Sequence, residues 1–225
     1  EITIAVLPAG SANDWTRMYR IPRDYGKAVE TILEGRIVCQ DVAKVEYSQA
    51  GVRNTRYMVN VAGVGLDANI CYWCNVAKNK GKSGDFAYVK AAFKALAGRI
   101  SNPAKVVVDG RHFFTGRMFS VGLGIGKYSG GGMMQVPDAV ADDGLLNLMV
   151  ARKVSKLKFL LHFRQLFEGT IYNFREVTHC VASRVNVITR RPDKVEIDGE
   201  VVGTTPVSFE VVPRALRVIV GRDYK

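Results

Sequence analysis

The chain has 225 residues, of which 48% are hydrophobic, so it can bury a sizeable core in one large domain or in one domain and part of another. No apolar run approaches the roughly 18 residues of a membrane-spanning helix and no signal-peptide pattern opens the chain, so we expect neither a membrane-spanning nor a secreted protein. The formal net charge of +11, from 32 Lys+Arg against 21 Asp+Glu, favours anionic partners such as nucleotides, acidic membrane surfaces or nucleic acid.

The first segment has a strand–turn–helix pattern. Residues 2–7 form a short β-branched run that predicts a buried strand, and residues 15–19 are typical of the first turns of a helix. Between them lie turn-forming and helix-capping residues: Pro8, Gly10, Ser11, Asn13 and Asp14. Backbone N–H groups at such a helix start suit a phosphate, although an ordinary capped turn is the commoner interpretation of the local pattern.

The rest of the chain predicts one further helix and then mostly short strands. Helical spacing runs from Asp24 to Glu34 and stops at Gly35. The predicted strands are residues 36–45, 56–62, 104–109, 112–125, 145–151, 177–190, 195–197, 207–212 and 216–220. Strands of this length bounded by Gly, Pro, Asn and Asp predict a β-sandwich or barrel-like domain after a β-α-α segment that ends near Arg36.

Two helices interrupt the predicted strands. The first carries an apolar stripe at helical spacing: Phe86, Val89, Phe93 and Leu96. The second, near residues 157–167, carries a longer stripe beside basic residues: Leu157, Leu160, Leu161 and Phe167 with Lys153, Lys156, Lys158 and Arg164. Core packing is the commoner explanation of such a stripe, and contact with an anionic bilayer is the alternative.

Glycine and cysteine patterns in the chain carry weak chemical signals. Residues 122–126 (Gly-Leu-Gly-Ile-Gly) lack the following helix that a dinucleotide site needs, so we expect these glycines to permit tight bends and close backbone approach. Cys71 and Cys74 form a single C-x-x-C inside an apolar, aromatic run, which is more typical of buried reduced thiols than of a metal or redox site.

Acidic residues in two loops allow a structural and a chemical interpretation. Residues 142–144 (Asp-Asp-Gly) predict a hairpin turn, but their carboxylates and neighbouring carbonyls equally suit Mg²⁺ or Ca²⁺. Glu200 directly follows Gly199 at the end of a short strand, where it is either a solvated turn residue or a positioned general base.

Together these segments resemble the diacylglycerol kinase catalytic-domain superfamily, which includes bacterial soluble lipid kinases and sphingosine kinases. Residues 7–15 (Leu-Pro-Ala-Gly-Ser-Ala-Asn-Asp-Trp) are similar to its P-x-G-T-x-N-D-F segment, and residues 60–68 (Asn-Val-Ala-Gly-Val-Gly-Leu-Asp-Ala) to N-x-x-G-x-G-x-D-A. Residues 130–146 resemble GGG-M-x-x-x-P-x-A-x-x-D-D-G-L-L, and residues 197–200 match x-D-G-E. The four motifs occur in family order along almost the whole chain.

The resemblance implies an ATP-dependent lipid kinase that transfers the γ-phosphoryl group to a lipid hydroxyl such as that of diacylglycerol. It implies an α+β, mainly β fold with a C-terminal β-sandwich domain and two or more helices. Residues 1–36 would be the last β-α-α part of an N-terminal α/β nucleotide-binding domain, and residues 37–225 the β-sandwich domain, with the extreme C-terminus free to pack back on the first domain.

The same resemblance assigns site residues by position. Gly10, Ser11 and Asn13 would contact the nucleotide. Asp14 would belong to the acidic network around the catalytic Mg²⁺, and Glu200 would take the proton from the lipid hydroxyl. A second, structural Mg²⁺ or Ca²⁺ would be held by three residues of one loop: Asp143 and the backbone carbonyls of Val140 and Leu145.

The sequence departs from the family pattern at several positions. Ser11 replaces Thr and keeps the hydroxyl, and Trp15 replaces Phe. Gly124 and Asn147 stand where relatives often carry Asn and Asp, which affects the lipid end of the site.

We predict that residues 1–225 alone have no kinase activity. The family's Gly-Gly-Asp-Gly-Thr phosphate loop does not occur in them, and we expect it upstream of Glu1. Phosphoryl transfer depends mainly on positioning and charge stabilisation around the phosphates, which that loop supplies. Incubation with γ-labelled ATP, Mg²⁺ and lipids in mixed micelles measures this, and robust labelling of a lipid would contradict the prediction.

Two other functions remain open. One is a related kinase with a non-lipid alcohol acceptor such as NAD, and the other is a non-catalytic basic β-domain whose binding to an anionic partner falls steeply with salt. Tyrosines do not alternate with basic residues on one surface, so we expect no nucleic-acid partner. The expected partners are ATP and a lipid at an anionic membrane surface, and a homodimer is compatible with the sequence. We expect a cytoplasmic protein with peripheral membrane association.

Overall fold

The computed structural model describes residues 2–10, 12–81, 85–98 and 101–224, and of residues 85–89 and 93 it describes only the backbone. The helices are α1 (Asp14–Met18), α2 (Tyr25–Glu34), α3 (Leu66–Lys78), α4 (Asp85–Ala97), α5 (Lys156–His162) and α6 (Arg164–Glu168), and a 3-10 turn spans Ile171–Asn173. The strands are β1 (Thr3–Ile4), β2 (Arg36–Gln49), β3 (Val52–Met58), β4 (Val61–Gly65), β5 (Asn102–Val108), β6 (Arg111–Gly124), β7 (Tyr128–Ser129), β8 (Met133–Met134), β9 (Leu146–Arg152), β10 (Val177–Ala182), β11 (Arg184–Thr189), β12 (Lys194–Ile197) and β13 (Glu200–Val220).

Eleven strands within the described residues form one sheet that folds over on itself. Eight of them follow the order β10-β9-β6-β4-β12-β13-β11-β5, and β5 also pairs with β6. The other three lie off this path: β1 and β2 pair with β13, and β3 pairs with β2. The long strands β6 and β13 exchange neighbours along their lengths, with a register shift in β13 between Val212 and Leu216. Such bulged strands let one sheet form two packed layers. The predicted fold class, a β-sandwich domain with helices, is therefore confirmed.

Strand alternation gives the molecule two apolar cores. Leu148 and Val150 of β9 point into the core between the sheet layers, whereas Met149 and Ala151 point to the other face, where α3, α4 and α6 pack. Successive residues of a strand face opposite sides, so one apolar strand serves both cores. The second core lies directly behind the candidate site.

The last strand closes on the opening segment. The end of β13 pairs antiparallel with β2 and, in parallel, with β1. Gly221 then donates its N–H to the Tyr19 carbonyl at 2.9 Å. The first residues are thereby attached to the end of the chain.

Local signals predicted α2 well. Asp24 caps the helix by accepting the Lys27 N–H at 3.0 Å, and the helix ends before Gly35. A Cβ at Gly35 would lie 2.5 Å from the Val220 carbonyl and 2.6 Å from the Thr31 carbonyl, so the chain exits α2 against the last strand.

Several predicted boundaries were wrong. The opening strand covers only Thr3–Ile4, and the run over residues 56–62 breaks at a bend into β3 and β4. The run over residues 177–190 breaks at Ser183, whereas the two segments predicted over residues 207–220 form one continuous strand. Helix α3 was not predicted, and the helix near residues 157–167 divides at Phe163. The side chains of Phe86, Val89 and Phe93 lie outside the described residues.

None of the helices in the described part of the chain is both long and apolar enough to cross a membrane.

We predict that Gly35→Ala destabilises the protein by about 1–3 kcal/mol, because the new methyl group must displace backbone atoms. Gly26→Ala is the matched control, since its Cβ would meet only the Asp24 side chain at 3.3 Å and Ala favours helix. Urea unfolding of both variants measures the difference, and equal midpoints would contradict it.

Candidate functional site

The turn before α1 is held by the side chain of Asn13. Its Oδ1 accepts the Gly10 N–H at 2.9 Å, and its Nδ2 donates to the carbonyls of Pro8 at 3.1 Å and Gly10 at 2.6 Å. Asn13 has left-handed backbone geometry, with φ 53°, and makes no side-chain cap to the helix. Asn13 therefore shapes the turn, while Ser11 lies outside the described residues.

Asp14 connects α1 to the glycine-rich loop, which comprises residues 126–132. Its carboxylate is buried, and Oδ2 accepts the Gly131 N–H at 2.8 Å while Oδ1 has no partner among the described residues. Burial raises the pKa of this carboxyl group above its ordinary value, and the Gly131 hydrogen bond and the Arg17 charge partly offset the shift. Gly132 has a φ of 114°, a backbone conformation that favours glycine, and a Cβ there would lie 2.6 Å from an Arg17 nitrogen.

Asn60 connects the glycine-rich loop to the rest of the site. Its Nδ2 donates to the Tyr128 carbonyl at 3.0 Å, and its own carbonyl accepts the N–H groups of Ile125 and Gly126, each at 2.9 Å. A Cβ at Gly126 would collide with the Asn60 side chain. The expectation that glycines in this run permit close backbone approach is therefore confirmed at Gly126.

The turn between β12 and β13 carries Glu200. Asp198, at its start, accepts three backbone N–H groups, those of Val59 and Asn60 at 2.9 Å and of Val61 at 3.1 Å. Glu200 projects outward, and its side chain is 67% exposed and accepts from Arg56 at 2.7 Å. A continuous set of hydrogen bonds thus connects Asp14, the glycine-rich loop, Asn60 and the turn that positions Glu200.

Two carboxyl groups that the sequence analysis missed lie behind this turn, the buried Glu196 and the partly buried Asp67. Asp67 hydrogen-bonds to the side chains of Glu196 and Gln135, and Glu196 accepts the Gly199 N–H at 3.0 Å. Burial raises the pKa of both carboxyl groups, that of Glu196 well above its ordinary value because the Asp67 charge adds to the effect. The pair therefore keeps a proton to higher pH than an exposed carboxyl group does. The sequence signals for this pair were Asp67 in the glycine-containing motif of residues 60–68 and Glu196 within a short apolar strand.

Asp67 also lines a narrow apolar cavity of about 60 Å³ in the second core. Its remaining wall is almost entirely apolar and aromatic: Leu66, Ile70, Phe119, Met133, Met149, Ala151, Val154, Phe159, Phe163, Leu166, Ile171, Phe174 and Val177, with Ser120 and Gln135 as further polar residues. Asp67 therefore forms a polar end of the cavity, and hydrogen bonds through Glu196 connect that end to the turn before Glu200.

The loop predicted to hold a structural cation folds around a residue that the sequence analysis did not select. Asp143 is exposed, and its Oδ1 accepts the Leu145 N–H at 3.0 Å, while Val140 is also exposed. Asp41, fully buried in β2, accepts the Gly144 N–H at 2.6 Å and its own N–H donates to the Ala141 carbonyl at 2.7 Å. Carbonyl and carboxylate oxygens, which this loop carries, are the ligand types that hard cations take.

No group of three or more His, Cys, Asp or Glu side chains in the described residues could hold a metal ion. A cation held by the described residues would therefore need backbone carbonyls or bound phosphates as further ligands. Cys71 and Cys74 are free thiols whose pKa burial raises, which disfavours redox or metal chemistry at them.

Comparison with known proteins places the chain in a family. Residues 60–220 match the family model described as YegS C-terminal NAD kinase beta sandwich-like domain, and residues 1–45 match the diacylglycerol kinase catalytic domain. The fold and these matches define a member of the diacylglycerol kinase-like superfamily. The chain belongs to that superfamily, its larger part being a YegS-type C-terminal domain.

Individual relatives agree with this assignment. A protein of Staphylococcus carnosus (strain TM300) named diacylglycerol kinase is 30% identical over 223 residues, which cover 99% of this chain and 69% of that protein. One of Bacillus subtilis (strain 168) with the same name is 26% identical over 222 residues, 98% of this chain and 70% of that protein.

Solved structures show the same fold. A diacylglycerol kinase from Bacillus anthracis Sterne superposes with a TM-score of 0.69 at 20% identity, covering 99% of this chain and 68% of that one. Yeast NADH kinase complexed with NADH gives a TM-score of 0.50 at 8% identity, covering 92% of this chain and 52% of that one. Likeness at this identity supports the fold alone.

We predict that Glu196→Gln makes stability less dependent on pH. In the wild type the folded state binds more protons than the unfolded state at pH values between the ordinary carboxyl pKa, about 4.3, and the raised folded value. Stability should therefore fall as the pH rises through that window. A glutamine retains the acceptor for Gly199 and donates to Asp67 without titrating.

The free energy of unfolding, measured from about pH 5 to about pH 8, checks this prediction. The exposed Glu30→Gln substitution on α2 is the control and should leave the wild-type slope unchanged. Parallel curves for the wild type and Glu196→Gln would show that the pair holds no extra proton.

Proposed function

We propose that the protein is an ATP-dependent lipid kinase that transfers the γ-phosphoryl group of ATP to a lipid hydroxyl such as that of diacylglycerol. The relatives named diacylglycerol kinase support a lipid acceptor, and one structural observation agrees: an apolar cavity whose polar end at Asp67 connects through Glu196 to the turn before Glu200. A lipid acceptor has the same polarity, with an apolar chain and a hydroxyl at its end.

Glu200 is the proposed general base. Its exposed carboxylate lies at the outer end of a turn fixed by Asp198, where an acceptor hydroxyl can approach it. Arg56 orients the carboxylate while the acceptor is absent. Removing the hydroxyl proton as the new P–O bond forms is the step that a positioned carboxylate assists.

The turn before α1 and the glycine-rich loop are the proposed nucleotide side of the site. Gly10, Ser11 and Asn13 would contact the nucleotide, Asn13 chiefly by holding the turn through its backbone bonds. Asp14 would help to hold the catalytic Mg²⁺, and its unpartnered, buried Oδ1 fits that role. Mg²⁺ at such a site neutralises phosphate charge.

A second Mg²⁺ or Ca²⁺ is proposed for the loop that Asp41 anchors. The free carboxylate oxygen of Asp143 and the carbonyls of Val140 and Leu145 would hold it. Its role would be structural, fixing the loop against β2 and β13.

The proposed domain division places residues 1–36 with an α/β nucleotide-binding domain and residues 37–225 in the β-sandwich domain. We place the protein in the cytoplasm with peripheral membrane association, in phospholipid metabolism.

A homodimer is compatible with the sheet, because β3 and β10 each pair with one neighbour among the described strands.

A kinase for a non-lipid alcohol such as NAD is the second candidate, supported by the match of residues 60–220 to a domain model described as NAD kinase beta sandwich-like. The apolar lining of the cavity favours the lipid. A non-catalytic basic domain has only the net charge of +11 in its favour.

The test uses the complete gene product with γ-labelled ATP, Mg²⁺ and, in parallel, diacylglycerol and other lipids in mixed micelles and NAD in solution. We predict label in a lipid, and a loss of at least about 100-fold in kcat in Glu200→Gln, with little change in fold. Glu210→Gln is the matched control, since Glu210 is also exposed and paired with an arginine, Arg184, at 2.7 Å.

Label in NAD alone would replace the lipid with the second candidate. Full activity of Glu200→Gln would show that Glu200 is not the general base. An absence of ATP binding would favour the non-catalytic basic domain.

A further inference from the structure

Helices α5 and α6 carry a cluster of exposed apolar side chains on their outer face. Leu157 is 68% exposed and Leu161 72% exposed, and Leu160 and Phe167 are each 44% exposed. Large apolar side chains that cluster on an outer surface mark a contact site, whereas scattered ones do not. The core-packing interpretation of this stripe is thus wrong for these four residues.

The inner face of the same two helices closes the apolar cavity. Phe159, Phe163 and Leu166 line it. Ring contacts run from the cavity wall to the surface: Phe119 to Phe159 with centroids 5.2 Å apart, Phe159 to Phe163 at 5.7 Å, and Phe163 to Phe167 at 5.7 Å. A row of packed aromatic rings therefore extends from the cavity wall to the exposed face.

Basic side chains flank this face. Arg152, Lys153 and Lys156 are exposed and make no ion pair with an acidic side chain of the described chain. Lys158 pairs with Glu176 at 2.6 Å and Arg164 with Glu168 at 2.6 Å, so their charges are already balanced. An apolar face beside unbalanced positive charge is complementary to a surface that is anionic outside and apolar beneath.

We propose that α5 and α6, together with Arg152, Lys153 and Lys156, form the surface by which the protein docks on an anionic phospholipid bilayer, with Leu157, Leu160, Leu161 and Phe167 entering the acyl region. Anionic headgroups then lie against the three unpaired cations. The docked face places the row of aromatic rings at the bilayer, where an acceptor chain can enter the cavity.

The size of the cavity supports this arrangement. About 60 Å³ is space for only a few water-sized groups, so most of a diacyl lipid stays outside it. The acyl chains of such a lipid avoid water only if the cavity opens at the bilayer. A second copy of the chain is a poorer occupant, because a symmetric contact through this face would oppose two sets of unpaired cations.

This inference rests on the proposed lipid acceptor for its purpose, but docking needs neither ATP nor chemistry. Binding of the complete gene product to sedimented vesicles of phosphatidylglycerol and phosphatidylcholine, against phosphatidylcholine alone, measures it separately from kinase activity. We expect binding that requires phosphatidylglycerol and weakens as salt rises.

The double variant Leu157→Gln/Leu161→Gln should bind these vesicles about tenfold more weakly, because two side chains no longer enter the lipid. Lys153→Gln/Lys156→Gln should lose the preference for phosphatidylglycerol. The matched control is Val29→Gln/Leu33→Gln on α2, whose side chains are 44% and 80% exposed, and it should bind as the wild type does.

Insertion is tested with a tryptophan in the same face. Fluorescence of Leu161→Trp should be quenched by lipids brominated in the acyl chain, beyond the signal of the native tryptophans, and that of Leu33→Trp should not. Wild-type binding by the α5 double variant, equal loss in the α2 control, or a concentration-dependent dimer abolished by Leu157→Gln/Leu161→Gln would each overturn the proposal.

If docking holds while no lipid is phosphorylated, the proposed function fails and the docking surface stands. If lipid in mixed micelles is phosphorylated while vesicle binding ignores the α5 substitutions, the docking surface fails alone.

Discussion

The structure of the site depends on Asp198, which accepts three consecutive backbone N–H groups from the bend between β3 and β4. Because carboxylate bonds to backbone N–H groups are strong and directional, they fix the turn that carries Glu200 relative to Asn60. Asn60 in turn contacts the glycine-rich loop, which receives Asp14. Burial raises the pKa of Asp198, and the three N–H groups partly offset that shift. Segments far apart in the sequence thereby share one frame.

The same turn is the meeting point of two environments. Outward lie polar, charged groups suited to phosphoryl chemistry, and inward lies an apolar cavity reached through Glu196 and Asp67. The closeness of the two carboxyl groups favours keeping a proton on the pair, because a proton removes the repulsion between two charges. The α5–α6 segment completes the arrangement, since one face closes the cavity and the other is left to a partner.

Features that depend on interactions between residues close together in the chain could be predicted from the sequence. Features that depend on contacts between distant segments could not. Helix α2 was predictable because its cap at Asp24 and its end at Gly35 are local signals, and family order brought out Glu200 and Asp14. The Asp67–Glu196 pair and the anchor at Asp41 were not, because they depend on contacts between distant strands. Helix α3 was missed because its aromatic, cysteine-rich composition has no clear 3.6-residue periodicity to separate it from a strand.

The central claim is that the cavity behind the turn before Glu200 receives part of an acyl chain of the acceptor. It is tested most directly by photolabelling the complete gene product with a diacylglycerol that carries a diazirine within one chain, followed by peptide mapping. The account predicts crosslinks concentrated at Phe119, Phe159 and Phe163, and their loss on competition with unlabelled diacylglycerol. Crosslinks confined to other surfaces, unchanged by the competitor, would contradict it.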